Sequence, residues 1–132
     1  MSAEIPRLMF VCTHNAGRSA LGAALARARG GDAVEVESAG IKPDTAPNPV
    51  TIASLAELGI DDSNHVPSAL TPERARTFDV VVAMKPGLDI PAFDHVRYET
   101  WALPDPQGWD VEGIRALRDH IDSRVQSLLA DL

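Results

Sequence analysis

The apolar positions of this chain follow two rhythms, one of short runs and one of helical spacing. Residues 7–11 (Arg-Leu-Met-Phe-Val) form a short apolar run that stops at a polar, glycine-containing loop. That length and those residue types fit a buried strand better than a helix. Val34 to Ser38 alternates apolar and polar, as a second strand does. Asp79 to Met84 (Asp-Val-Val-Val-Ala-Met) is the most strand-like run of all, and His95 to Trp101 is a weaker candidate. Helical signals lie between these runs. Ser19 to Arg29 is rich in Ala and Leu, with a start near Ala16 and a stop at Gly30-Gly31. Asn48-Pro49 offers an N-cap and a proline at the first helical position, for a helix ending near Gly59. Thr71-Pro72-Glu73 repeats that signal for a shorter helix. In the last helix Val111, Ile114, Ile121, Val125, Leu128 and Leu132 recur at helical spacing. Arg115, Arg118, Asp122 and Arg124 are then expected to face water.

Strands alternating with helices imply a mostly parallel sheet with helices on both faces. The expectation is one small three-layer α/β domain over residues 1–132. Ligands of such folds sit beyond the carboxyl ends of the strands, and the loop after the first strand is a favoured place. Cys12 begins that loop.

Composition narrows the function. Twelve Lys and Arg against nineteen Asp and Glu give a net charge of −7, which argues against nucleic acid or an anionic membrane as partner. His14, His65, His95 and His120 lie far apart with no second Cys, so no structural metal site is expected. The single Cys12 excludes an internal disulfide and points to a reducing, cytoplasmic compartment. Met1 to Pro6 lacks the basic-then-apolar order of a signal peptide, and Leu8 to Val11 is too short to span a bilayer.

The chemistry concentrates in residues 12–19, Cys-Thr-His-Asn-Ala-Gly-Arg-Ser. If this loop wraps, the backbone N–H groups of Thr13, His14, Asn15, Ala16 and Gly17 form an anion-binding nest. The following helix adds its free N–H groups and the positive end of its dipole at the same point. Arg18 can grip two oxygens of a tetrahedral oxyanion with its planar fork. Cys12 lies at the bottom, where positive surroundings and the Ser19 hydroxyl favour the thiolate, a nucleophile facing the bound oxyanion. A lone Cys at a strand end is otherwise a small buried hydrophobe. Here Arg at +6, Ser at +7, a loop Gly and the strand–helix context coincide.

The loop resembles that of the low-molecular-weight protein tyrosine phosphatase superfamily, and the likeness runs from about Arg7 to Leu132. It is carried by His14-Asn15-Ala16-Gly17-Arg18-Ser19, Glu37-Ser38-Ala39-Gly40 and Leu103-Pro104-Asp105-Pro106. Within that superfamily the chain is most similar to arsenate reductases that use a small thiol, mycothiol. The resemblance implies a flavodoxin-like fold, a three-layer α/β/α arrangement around a four-stranded parallel sheet of order 2-1-3-4. It implies Cys12 as nucleophile, Arg18 and the loop amides as oxyanion cradle, Asn15 as loop brace and Asp105 as general acid. Asp105 suits that task on its own account. Pro104 and Pro106 stiffen its backbone in a loop after the fourth strand, although Asp-Pro also simply opens turns.

Phosphate and arsenate have nearly the same shape, so the cradle does not choose between them. The related phosphatases carry aromatic residues after the Asp-Pro pair, a Gly where this chain has His14 and a second Cys where it has Gly17. Here Gln107 and Gly108 follow the pair, and only Trp109 comes close. Trp109, Trp101 and Tyr98 also read as packing residues. One reductase branch resolves its Cys–arsenic adduct with two further cysteines and thioredoxin, which this chain lacks. The resemblance therefore implies no bound cofactor but an external small thiol, mycothiol-like, with a mycoredoxin acting on the released adduct. The chain departs from that branch at Lys85 to Pro91, where a Gly-Cys-rich stretch is usual; this segment is a candidate lip of the co-substrate entrance. Ser38 and Gly40 are expected to form a supporting turn, Gly40 with positive φ. His65, His95 and His120 show no partner pattern. Three readings remain open: an arsenate reductase, a phosphomonoesterase of the same fold, and a non-catalytic oxyanion-binding module.

Overall fold

Four strands carry the architecture in the computed structural model, which describes residues 5–132. Residues 1–4 of the segment read for targeting signals lie outside the described residues. β1 (Arg7–Cys12) is central, flanked by β2 (Glu35–Gly40) and β3 (Val80–Ala83), with β4 (Arg97–Thr100) outermost. All neighbours pair in parallel, in the order β2-β1-β3-β4. Both faces of β1 are covered, which is why its apolar run does not alternate. Leu8, Phe10 and Cys12 join one core, Met9 and Val11 the other. The first core is closed by α1 (Arg18–Gly30), α2 (Pro49–Ala56) and α4 (Val111–Ala130), through Leu21, Leu55, Ile114 and Ile121. Trp101 belongs to it, its ring edge-on to Phe10 at 5.9 Å between centroids. The second face is covered by Phe78, just after the short α3 (Pro72–Ala75), and by Leu88, Ile90 and Phe93.

The cap signals act as the sequence predicts. Asn48 Oδ1 accepts from the Val50 amide, and Thr71 Oγ1 from that of Arg74. Boundaries shift slightly: β2 runs to Gly40, β4 is shorter than His95–Trp101, α1 starts at Arg18 rather than near Ala16, and α2 ends at Ala56.

Arg118 overturns the expectation of a water-facing side chain. It is buried, and its Nη1 donates to Ser54 O at 2.8 Å and to Glu57 Oε1 at 2.7 Å. The physical reason is the carboxyl end of α2, where the Ser54 carbonyl and the Glu57 carboxylate meet α4. Asp122 is also drawn in: Arg29 holds it through two parallel bonds of 2.9 and 2.7 Å. Among the described residues, no helix is long and apolar enough to cross a membrane.

Candidate active site

β1 delivers Cys12 to the carboxyl edge of the sheet, and residues 13–17 turn the chain into α1. The turn depends on Asn15, which adopts a left-handed backbone with φ 54°. Asparagine tolerates that region better than most residues. Asn15 is fully buried and every polar group it has is used. Its amide donates to Cys12 Sγ at 3.3 Å, and its Nδ2 to Ser19 Oγ at 2.8 Å. Its Oδ1 accepts from the Ser68 amide at 3.0 Å. Its carbonyl accepts from His65 Nε2 at 2.6 Å. With Asn15 donating to Ser19 Oγ, the serine's own hydrogen is left for Cys12 Sγ, 2.9 Å away. Both contacts make the sulfur an acceptor, the role that suits a nucleophilic thiolate.

A second strap holds the loop from the β2 side. The amides of Ile41, Lys42 and Asp44 donate to the carbonyls of Cys12, Thr13 and His14 at 3.1, 2.8 and 3.0 Å. Gly40 is the last residue of β2 and has no positive φ. Its requirement is close approach: a Cβ there would lie 2.8 Å from Thr13 O and 3.0 Å from Asn15 N. The expected turn is thus a strand end, and the left-handed residue is Asn15. Ser38 is buried, and its carbonyl accepts from Arg74 Nη2 at 2.9 Å and from Ser68 Oγ at 3.3 Å. It therefore supports Ser68, which in turn holds Asn15.

Arg18 lies buried at the start of α1 and donates from Nη1 to Leu103 O at 3.1 Å. Leu103 opens the Pro104-Asp105-Pro106 loop. Pro106 Cγ sits 3.1 Å from where a Gly17 Cβ would be, so a larger residue there would press the two loops apart by a few tenths of an ångström. Asp105 Oδ1 accepts from the Gln107 amide at 3.0 Å, which fixes the carboxyl on its loop. Asp105 shares a cleft of about 270 Å³ with His14, Ala16, Gly17, Asn48 and Gln107. No Phe, Tyr or Trp ring lines it among the described residues. Three larger clefts, of about 360, 380 and 310 Å³, include no residue of the 12–19 loop, and ion-paired side chains line the first two.

The remaining candidates are elsewhere. Lys85 lines a separate pocket with Leu88, Ile90 and Tyr98, so the 85–91 segment does not form the lip of this cleft. Trp101 and Trp109 pack in and against the first core. His65 was the residue missed. It stands 50 positions from Asn15 in sequence, and no local spacing marks the contact. Nearby, burial pushes the Asp62 carboxyl above the ordinary range, opposed by the charges of His65 and Arg27. Among the described residues, no group of His, Cys, Asp and Glu is arranged to hold a metal ion.

The parallel α/β sheet thus sets Cys12 and Arg18 at the two ends of a tight loop after its first strand. The chain belongs to the low molecular weight phosphotyrosine protein phosphatase family, whose pattern matches residues 7–132. Among its relatives is the glutaredoxin arsenate reductase of Synechocystis sp., 30% identical over 129 residues, covering 96% of this chain and 98% of that one. An arsenate reductase solved in its phosphate binding state superposes with a TM-score of 0.87 at 30% identity, covering 96% of this chain and 98% of that chain. A thioredoxin-dependent arsenate reductase of Corynebacterium glutamicum superposes with a TM-score of 0.85 at 31% identity. That match covers 99% of this chain but only 63% of the longer protein.

Proposed function

We propose that this protein is an arsenate reductase in which Cys12 attacks arsenate and an external thiol resolves the adduct. The observation that carries this reading is the pair of donors on Cys12 Sγ, from Ser19 at 2.9 Å and Asn15 at 3.3 Å, with a neighbouring cleft that no Phe, Tyr or Trp lines among the described residues. A phosphotyrosine site needs a surface on which the ring can stack, whereas an inorganic oxyanion needs only donors. The relatives named arsenate reductase favour the same choice.

In this mechanism the amides of residues 13–17, the N-terminus of α1 with Ser19, and the Arg18 guanidinium hold the oxyanion. The Cys12 thiolate forms a sulfur–arsenic bond while one arsenic–oxygen bond breaks. Asp105 gives the departing oxygen its proton, and it leaves as water. No second cysteine exists in these 132 residues, so the next sulfur arrives from outside them. The cleft offers Asn48 and Gln107 amides, with Asp44 and Asp105 as its carboxylates and no Lys or Arg among the described lining residues. Such a mouth suits a thiol rich in hydroxyl groups and without net negative charge, of the mycothiol type. The thiol takes arsenic from Cys12, and a mycoredoxin-like protein reduces the released adduct. A reaction fed by free thiol belongs in a reducing compartment such as the cytoplasm.

A phosphomonoesterase is the second reading, favoured by the family's own name. Intact-mass measurement after quenching with arsenate separates the two. A Cys12-dependent arsenic adduct with negligible aryl-phosphate hydrolysis supports the reductase. Fast hydrolysis without an adduct supports the esterase.

A further inference from the structure

The arsenate reductase reading calls for an acceptor for a second proton. An incoming thiol must lose its hydrogen before its sulfur attacks; Asp105, ionised once it has protonated the departing oxygen, is one acceptor, and the cleft holds a second. We propose that His14 is the general base for that thiol, with Asp44 as the residue that orients it. The inference rests on the proposed function.

His14 Nδ1 lies 3.2 Å from Lys42 O and 3.5 Å from Asp44 Oδ1. A carbonyl only accepts, and so does an ionised carboxylate, so the proton of the neutral ring sits on Nδ1. The lone pair is then on Nε2, which has no hydrogen-bond partner among the described residues. The two residues are fixed a second time, because the Asp44 amide donates to His14 O at 3.0 Å. The side chains are 41% and 52% exposed, and both line the cleft that also holds Asp105 and Gly17. The base thus stands at the proposed entrance of the thiol, while Cys12, at the start of the same loop, is buried. A nucleophile, a base and a group that orients the base is the arrangement such chemistry needs. Asp44 and Asp105 are the charged groups that line the cleft with the ring. Lys42 meets it through its carbonyl.

In the step itself, the thiol proton passes to His14 Nε2 and the thiol sulfur forms a bond to arsenic. The Cys12 sulfur–arsenic bond breaks, and Cys12 departs with the electron pair as thiolate. Arsenic keeps its oxidation state, and the His14 proton returns to solvent.

The test compares two small neutral thiols on the preformed Cys12–arsenic adduct. One is 2-mercaptoethanol and the other the more acidic 2,2,2-trifluoroethanethiol, at a pH where only the latter is ionised. Loss of a general base costs about 10²–10⁴-fold. His14→Gln is therefore expected to slow transfer to 2-mercaptoethanol by about 100-fold, the low end of that range. The deficit should shrink to a few-fold with trifluoroethanethiol, which needs no base. Asp44→Asn should show a smaller loss with the same dependence on the thiol. Equal deficits with both thiols, or none, overturn the role of His14 alone. Failure of the wild type to form any adduct with arsenate overturns the proposed function, and this inference with it.

Discussion

Arg18 Nη1 donates to the carbonyl of Leu103 at 3.1 Å, in the interior of the protein. Arg18, the cation of the proposed cradle, is therefore tied to the loop that carries Asp105. A guanidinium held by one nitrogen still presents its other N–H groups in a fixed plane, which an ammonium does not.

Arg18→Lys keeps the charge but loses that plane, and it leaves a buried carbonyl without its donor. The expected cost is about 1–3 kcal/mol of stability. Phosphate affinity should fall at least tenfold or so, about 1.4 kcal/mol. Calorimetric titration with phosphate and urea denaturation read the two effects separately.

Gly40→Ala forces a methyl group against Thr13 O and Asn15 N, at 2.8 and 3.0 Å. Both contacts are backbone and cannot swing aside. The loop must shift, at a cost of about 1–3 kcal/mol. Slower alkylation of Cys12 by iodoacetamide would register the displaced sulfur, and an unchanged rate and stability would contradict this account of Gly40.

His65→Phe removes the donor to Asn15 O while keeping a ring of similar size. The unpaired carbonyl costs about 1–3 kcal/mol, and the left-handed turn at Asn15 loses a restraint. Phosphate binding should weaken and Cys12 labelling should change. His65→Gln, which can still donate, should recover part of both.

Glu57 offers a prediction in pH. The Arg115 hydrogen bond, aided by Arg118, holds its carboxyl at about 2, against the ordinary 4.5. A depressed carboxyl stabilises the fold fully above the unfolded value and loses that contribution as pH falls through the folded one. The stability advantage of wild type over Glu57→Gln should hold at neutral pH and close between about 4.5 and 2. Chemical denaturation at stepped pH follows the gap; a gap that ignores pH in that window would remove Glu57 from the ion-pair account.

Much of this was legible in the sequence because it is written locally. The β1 run, the caps at Asn48 and Thr71, and the Cys12-to-Ser19 spacing each depend on neighbours within a few residues. The parts that were not legible depend on tertiary meetings. Arg118 sits among charged positions of α4, and the Ser54 carbonyl and Glu57 carboxylate at the end of α2 draw it inward. Gly40 looked like a turn residue, yet its meaning lies in the loop that passes against it. His65 had no partner pattern because its partner is a backbone carbonyl, which has no signature in sequence.

The most direct test of the central claim is arsenate turnover with small neutral thiols, run beside aryl-phosphate hydrolysis and with Cys12→Ser as control. The account predicts thiol-dependent arsenate turnover that Cys12→Ser abolishes, with little hydrolysis of the aryl phosphate. Asp105→Asn should slow formation of the arsenic adduct by about 10²-fold or more. Rapid aryl-phosphate hydrolysis without arsenate turnover, or substantial turnover by Cys12→Ser, would contradict it.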